Sequence, residues 1–148
     1  MRIPHVIPGH QPPAPLSVLG ESVTVFGQGD GAKRLEVHIQ EGVSGGGPPP
    51  HRHPWDEAFY VLEGEVSLTI EGETCVLGPG SYAHLPAGTI HAYENVSEAA
   101  RLLAVVSDCR GGEMFEALDA RVRALPDDLP LVNEVGREFG VEFLVAED

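Results

Sequence analysis

The chain has 148 residues, about the size of one domain and too few for two comfortable ones. Its 9 Lys and Arg stand against 23 Asp and Glu, a formal charge of -14 spread along the chain. Such a surface repels phosphate, which argues against nucleic acid and anionic membrane as partners.

Two cysteines, Cys75 and Cys109, have no CxxC spacing and build no disulfide framework, so both are read as buried thiols. The opening MRIPHVIPGHQPPAP lacks the apolar core of a signal peptide, and no apolar run approaches the roughly 18 residues of a membrane span. The expected compartment is the cytoplasm.

Residues 1–17 hold five prolines and little periodicity. They read as an extended arm, disordered or laid along a partner subunit. From Ser22 a strand rhythm begins with SVTVF and continues in RLEVHIQ, where Leu35, Val37 and Ile39 alternate with Glu36, His38 and Gln40 and form one apolar face. His38, like His5 and His10, is read as a surface or arm residue. The run GVSGGGPPP is neither helix nor central strand, because glycine costs entropy and proline lacks an amide donor.

EAFYVL, VSLTI, TCVL, SYAHL, TIHAYEN and RLLAVVS follow, separated by Gly-containing turns. This spacing predicts an all-β, closed or two-sheet antiparallel barrel over residues 18–108. Beyond Ser107 the period changes. Met114, Phe115, Leu118 and Val122, then Leu131, Val132, Val135 and Phe139 before Gly140, predict two short helices packed outside the sheet. VEFLV is a candidate returning edge strand, which makes 109–148 a short helical C-terminal segment.

The chemistry gathers in PPPHRHPWDE. Side chains on a strand alternate, so His51, His53 and Glu57, all odd, share a face if the segment is extended, and Phe59 and Val61 make that face an interior one. Two imidazoles and a carboxylate in an apolar interior cost several kcal/mol to bury, and a bound cation relieves that cost. PAGTIHAYEN supplies His91, with Tyr93 and Asn95 on the same face. Three histidines and a glutamate suit one divalent transition metal ion: Fe, Mn, Ni, Cu or Zn.

These segments resemble the two motifs of the cupin superfamily. The first has Gly45, His51, His53, Glu57 and Gly64, and the second has Gly80, Pro86, Gly88, His91 and Asn95, each at the family spacing. The resemblance implies a double-stranded β-helix, a jelly-roll barrel, with His51, His53, Glu57 and His91 as metal ligands. The PPxHxH approach and the GGEMFEAL segment after the barrel are similar to bacterial quercetin-dioxygenase-like cupins.

The small-molecule substrate pocket is drawn from Phe59, Tyr82, His84 and Tyr93. His84 could face the pocket but reads rather as a structural histidine, Tyr82 and Tyr60 read as packing rather than catalytic residues, and Trp55 either shields the site mouth or covers the sheet. Glu57 is the candidate catalytic base, its pKa expected to rise in an apolar pocket. The expected activity is a dioxygenase on a small enolic or aromatic substrate. The alternatives are a non-redox isomerase, lyase or cyclase, or a binding module without turnover. Cupin barrels commonly pair through their edge strands, which implies a homodimer.

Overall fold

A computed structural model describes residues 4–27, 34–108 and 110–145. One sheet of six strands runs in spatial order β1 (Leu16–Val18), β2 (Glu21–Phe26), β3 (Glu36–Val43), β10 (Ala99–Val106), β5 (Glu57–Glu63) and β8 (Tyr82–Leu85). The other has five strands: β11 (Glu142–Phe143), β4 (His51–Arg52), β9 (His91–Asn95), β6 (Val66–Ile70) and β7 (Glu73–Leu77). All pairings are antiparallel, and the two sheets form a jelly-roll barrel. Two helices, α1 (Arg110–Arg121) and α2 (Leu129–Glu138), follow it.

Local sequence sets the turns. Glu71 and Gly72 both have positive φ, 47° and 85°, the pair a two-residue hairpin needs between β6 and β7. Gly64 closes the β5–β6 turn at φ 73°, where an added Cβ would stand 2.1 Å from the Ala99 carbonyl oxygen. Only glycine fits there.

Two apolar clusters fill the molecule. Phe59, Val61, Leu68, Leu85, Tyr93 and Leu102 pack between the sheets deep in the barrel. Val23, Val106, Met114, Leu118, Val135 and Phe143 form a second cluster where the helices meet the barrel. The helices therefore do not simply cover an outer face as expected, since Met114 and Leu118 of α1 reach the inward-facing residues of β2 and β10. The returning strand forms as β11, pairing with β4 at the sheet edge.

The face expected to be buried on β3 is reversed. Glu36, His38 and Gln40 point into the barrel, at 0%, 1% and 7% exposed, while Leu35 is 54% exposed. A period of two separates the two sets without deciding which is inside, and pairing decides it. Glu36, His38 and Gln40 lie opposite Val106, Ala104 and Leu102, the buried face of β10. Reading His38 as a surface residue was therefore wrong, whereas His5 and His10 are exposed.

Cys75 is likewise not a buried thiol: it is exposed on β7, the outermost strand of its sheet. Cys109 lies outside the described residues.

Candidate metal centre

His51, His53, Glu57 and His91 are all buried, and one ligand atom from each lies within 4.8 Å of the others. They do not reach this arrangement along one extended strand. His51 sits on β4 of the five-stranded sheet, His53 in the connection after it, and Glu57 opens β5 of the opposite sheet. His91 opens β9 directly opposite His51. The centre is built across the gap between the sheets, and the bend through Pro54, Trp55 and Asp56 carries the chain over.

Backbone hydrogen bonds lock the two motifs together. Gly88 donates its N–H to the His53 carbonyl at 2.9 Å, and Ala87 donates to Asp56 Oδ1 at 2.8 Å. The prolines contribute acceptors, because an extended proline run leaves its carbonyls unpaired. Pro49 O lies 2.9 Å from His51 Nδ1, and Pro50 O accepts from the Leu144 N–H at 2.7 Å.

Each imidazole is held the same way. Nδ1 of His51, His53 and His91 lies 2.9 Å from the carbonyl of Pro49, Trp55 and Thr89, two residues away in every case. A carbonyl only accepts, so Nδ1 carries the proton and Nε2 of the neutral ring presents a bare lone pair. Yet Nε2 of His53 and of His91 face Oε2 of Glu57 at 2.9 Å and 3.2 Å. Lone pairs and a carboxylate converge on one point. Such a set needs an extra proton or a cation, and the carbonyl-anchored imidazole is the usual support of a metal ligand.

The dimensions agree with the donor chemistry. Bonds of about 2.0–2.2 Å place donors around one ion at most about 4.4 Å apart, so the set closes with shifts of a few tenths of an ångström. Three imidazoles and one carboxylate fit a divalent transition ion and do not by themselves select which one.

The electrostatics favour ligation. Burial, reinforced by the neighbouring His91 ring and opposed by Glu57, pushes His51 down to about 3, so it stays neutral. Burial alone would raise the Glu57 carboxyl, but the His53 and His91 rings that face it outweigh burial and hold the group well below its ordinary value. The expected upward shift of Glu57 is thus reversed, because its neighbours are imidazoles rather than an apolar wall.

Beside the centre lies a cavity of about 60 Å³, with Phe59, Tyr93, Trp55, Gln40 and Met114 among its lining residues. Of the four pocket residues proposed from sequence, Phe59 and Tyr93 are among those that line this cavity. Tyr82 and His84 are not, for both are exposed on β8, whose outward face carries them away from the interior. Trp55 is resolved: it is buried, stacks on His53 at 4.7 Å with an interplanar angle of 9°, and its carbonyl anchors the His53 ring.

Sequence reasoning missed Gln40, which accepts from Tyr93 Oη at 2.7 Å, and Glu21, which accepts from Asn95 Nδ2 at 2.6 Å. Both occupy alternate positions on otherwise strand-like segments. The polar side chains were the signal, had the inward face been known.

A jelly-roll barrel with a three-histidine, one-glutamate cluster at the junction of its sheets defines a β-barrel of the double-stranded β-helix class whose four clustered side chains could hold a metal ion. The family model described as a cupin domain matches residues 36–106, just under half of the chain, and the fold is that of a small cupin.

It is similar to quercetin 2,3-dioxygenase of Bacillus subtilis, 39% identical over 70 residues, which are 47% of this chain and 21% of that protein. The match thus spans about a fifth of that relative's length. Among solved structures, an RmlC-like cupin from Shewanella frigidimarina superposes with a TM-score of 0.67 at 20% identity, covering 76% of this chain and 97% of the other. The polyketide cyclase RemF from Streptomyces resistomycificus gives 0.54 at 29% identity, covering 64% and 68%. No helix among the described residues is long and apolar enough to cross a membrane.

Proposed function

We propose that this cupin is a metal-dependent dioxygenase acting on a small enolic or aromatic substrate. The observation that carries the reading is the convergence of three Nε2 atoms and one carboxylate on a point beside a cavity walled by Phe59, Trp55 and Met114. A transition metal held there would act as a Lewis acid and as a template for substrate and dioxygen.

The chain's own residues do the rest. Pro49, Trp55 and Thr89 carbonyls fix the ring orientations, and the apolar wall keeps bulk water from the reacting atoms. Glu57 is assigned as a ligand first. Held low by two imidazoles, it is an anion at any working pH, and it serves as a base only when those contacts are exchanged.

Cavity size restricts the substrate. At about 60 Å³, beside the cluster and lined mainly by apolar side chains, the cavity suits a small, largely apolar substrate. The likeness to quercetin 2,3-dioxygenase supports the chemistry without supplying the substrate.

A second reading, non-redox cyclase chemistry at the same centre, is favoured by the likeness to RemF. Oxygen uptake separates the two. The Fe(II)- or Mn(II)-loaded protein, given a panel of small enols and catechols, is expected to consume oxygen with product formation that stops under argon. Turnover that continues under argon supports cyclase or isomerase chemistry instead, and no turnover in a metal-replete sample leaves the binding module.

We also propose a homodimer through the β8 edge, supported by Tyr60 and Tyr82, cross-strand neighbours that are 44% and 64% exposed. Large aromatic side chains adjacent on an outer strand are typical of an interface core.

A further inference from the structure

His38 is a fully interior histidine that the metal centre does not use. It lines the same cavity as His51, His53 and Glu57, and its Nδ1 is buried with no protein partner. Strand register fixes its place. The row His38, Ala104, Phe59 runs across β3, β10 and β5, next to the row Glu36, Val106, Glu57. The backbones of β3 and β5 are two strand spacings apart in one sheet, roughly 10 Å, so His38 shares a wall with Glu57 at about that distance and faces the sheet that carries His51 and His91.

Its other nitrogen is pinned. Nε2 lies 2.5 Å from Oε1 of Glu36, and the same oxygen accepts the Gly112 N–H at 2.6 Å from the first turn of α1. A carboxylate already accepting an amide proton is an acceptor for the imidazole too, which puts an N–H on Nε2, and in the neutral tautomer Nδ1 then carries a lone pair. Gly111 leaves the space this needs: a Cβ there would stand 3.2 Å from His38 Cε1 and 3.4 Å from Glu36 Oε1. Phe115 meets the ring edge-to-face at 4.8 Å and fixes its plane. The wall thus holds an oriented, unpartnered acceptor.

We propose that His38 is a second substrate-contacting residue, with Glu36 as its positioning residue, and that Nδ1 accepts a hydrogen bond from a hydroxyl or amine at the end of the substrate remote from the metal. This deepens the function proposed above and rests on that reading for the metal-side contact. The ligand class is a short molecule with a metal-binding oxygen at one end, an apolar body, and a hydrogen-bond donor at the other.

The test uses a graded series of ω-hydroxycarboxylates and the matching n-alkyl carboxylates, titrated calorimetrically into Co(II)-loaded protein while the cobalt d–d bands report engagement of the metal. In wild type, one member of the hydroxy series is expected to bind roughly three- to tenfold tighter than its alkyl partner, the range for one hydrogen bond. His38→Gln retains a donor toward Glu36 and lacks the Nδ1 acceptor, so the preference should vanish while alkyl binding and the cobalt bands stay. His38→Asn puts an oxygen near the Nδ1 position and should recover part of it.

A hydroxyl preference that survives in His38→Gln, or none anywhere in the wild-type series with cobalt bound, overturns the role of His38 and leaves the metal reading standing. If cobalt does not bind, the metal reading fails, and the ¹⁵N resonance of His38 Nδ1 in the metal-free protein decides the rest. A shift on adding the hydroxy probes and not the alkyl ones supports the contact, and its absence rejects it.

Discussion

His53 Nε2, on the connection from β4, and Glu57 Oε2, on β5, lie 2.9 Å apart, and His91 Nε2 reaches the same oxygen from the opposite sheet at 3.2 Å. With every Nδ1 committed to a carbonyl, this contact is where a cation adds most to the fold.

Metal should therefore stabilise the protein directly. At a free Zn(II) or Co(II) concentration a hundredfold above Kd, stability is expected to rise by about 2.7 kcal/mol, and a chelator should reverse it. Glu57→Gln keeps the side-chain volume and removes the anion, so its metal-induced rise in melting temperature should be less than half that of wild type. Equal shifts in the two proteins would remove Glu57 from the ligand set.

Glu21 should make the fold less stable as pH rises. Burial, partly offset by the Asn95 hydrogen bond and reinforced by Glu41, pushes its carboxyl from 4.5 up to about 7. Between those values the unfolded chain releases a proton that the folded one keeps, so this destabilisation is absent below 4.5, grows through the window and is constant above 7. With some relief from solvent, the cost at pH 8 is on the order of 2 kcal/mol. Glu21→Gln keeps an acceptor for Asn95 and should match wild type near pH 4 but exceed it at pH 8 in urea midpoint. Parallel curves for the two proteins would count against the shift.

Gly64→Ala tests the turn joining β5 to β6. Positive φ and a Cβ 2.1 Å from the Ala99 oxygen together should cost at least about 2 kcal/mol, read as a lowered urea midpoint with unchanged slope. A variant as stable as wild type would mean that the turn is built differently.

Sheet register can be read from a pair of substitutions. Leu102 is 1% exposed on the inner face of β10, so Leu102→Ala should cost about 2–5 kcal/mol. Val76 on the outer strand β7 is exposed, and Val76→Ser should stay within about 0.5 kcal/mol. Comparable losses at both positions would contradict this register.

The proposed dimer is addressed by Tyr82→Asp, which places a charge on the exposed aromatic pair with Tyr60. Light scattering should give half the mass of wild type. Wild type already monomeric at working concentration, or a variant of unchanged mass, would rule out this edge.

The metal set was legible because its information is local. His51, His53 and Glu57 sit within seven residues, between prolines that limit the backbone, and His91 follows a Pro-Ala-Gly turn. Residue type and spacing single out the four side chains that the fold clusters, even though the supposed geometry, one extended strand, was not how they meet. The barrel was legible for the same reason, since alternation and turn residues are short-range properties of the chain.

Tertiary structure alone decided which side of each strand faces in. RLEVHIQ reads as a strand with Leu35, Val37 and Ile39 buried, yet pairing with β10 turns Glu36, His38 and Gln40 inward, where each finds a partner distant in sequence or two residues away. The same rule removed Tyr82 and His84 from the pocket and exposed Cys75. A strand's period fixes two faces, and only the neighbours brought by long-range pairing choose between them. Burying this polar face is eased by Gly112 and Tyr93, which pair with Glu36 and Gln40, and those contacts exist only in the folded barrel.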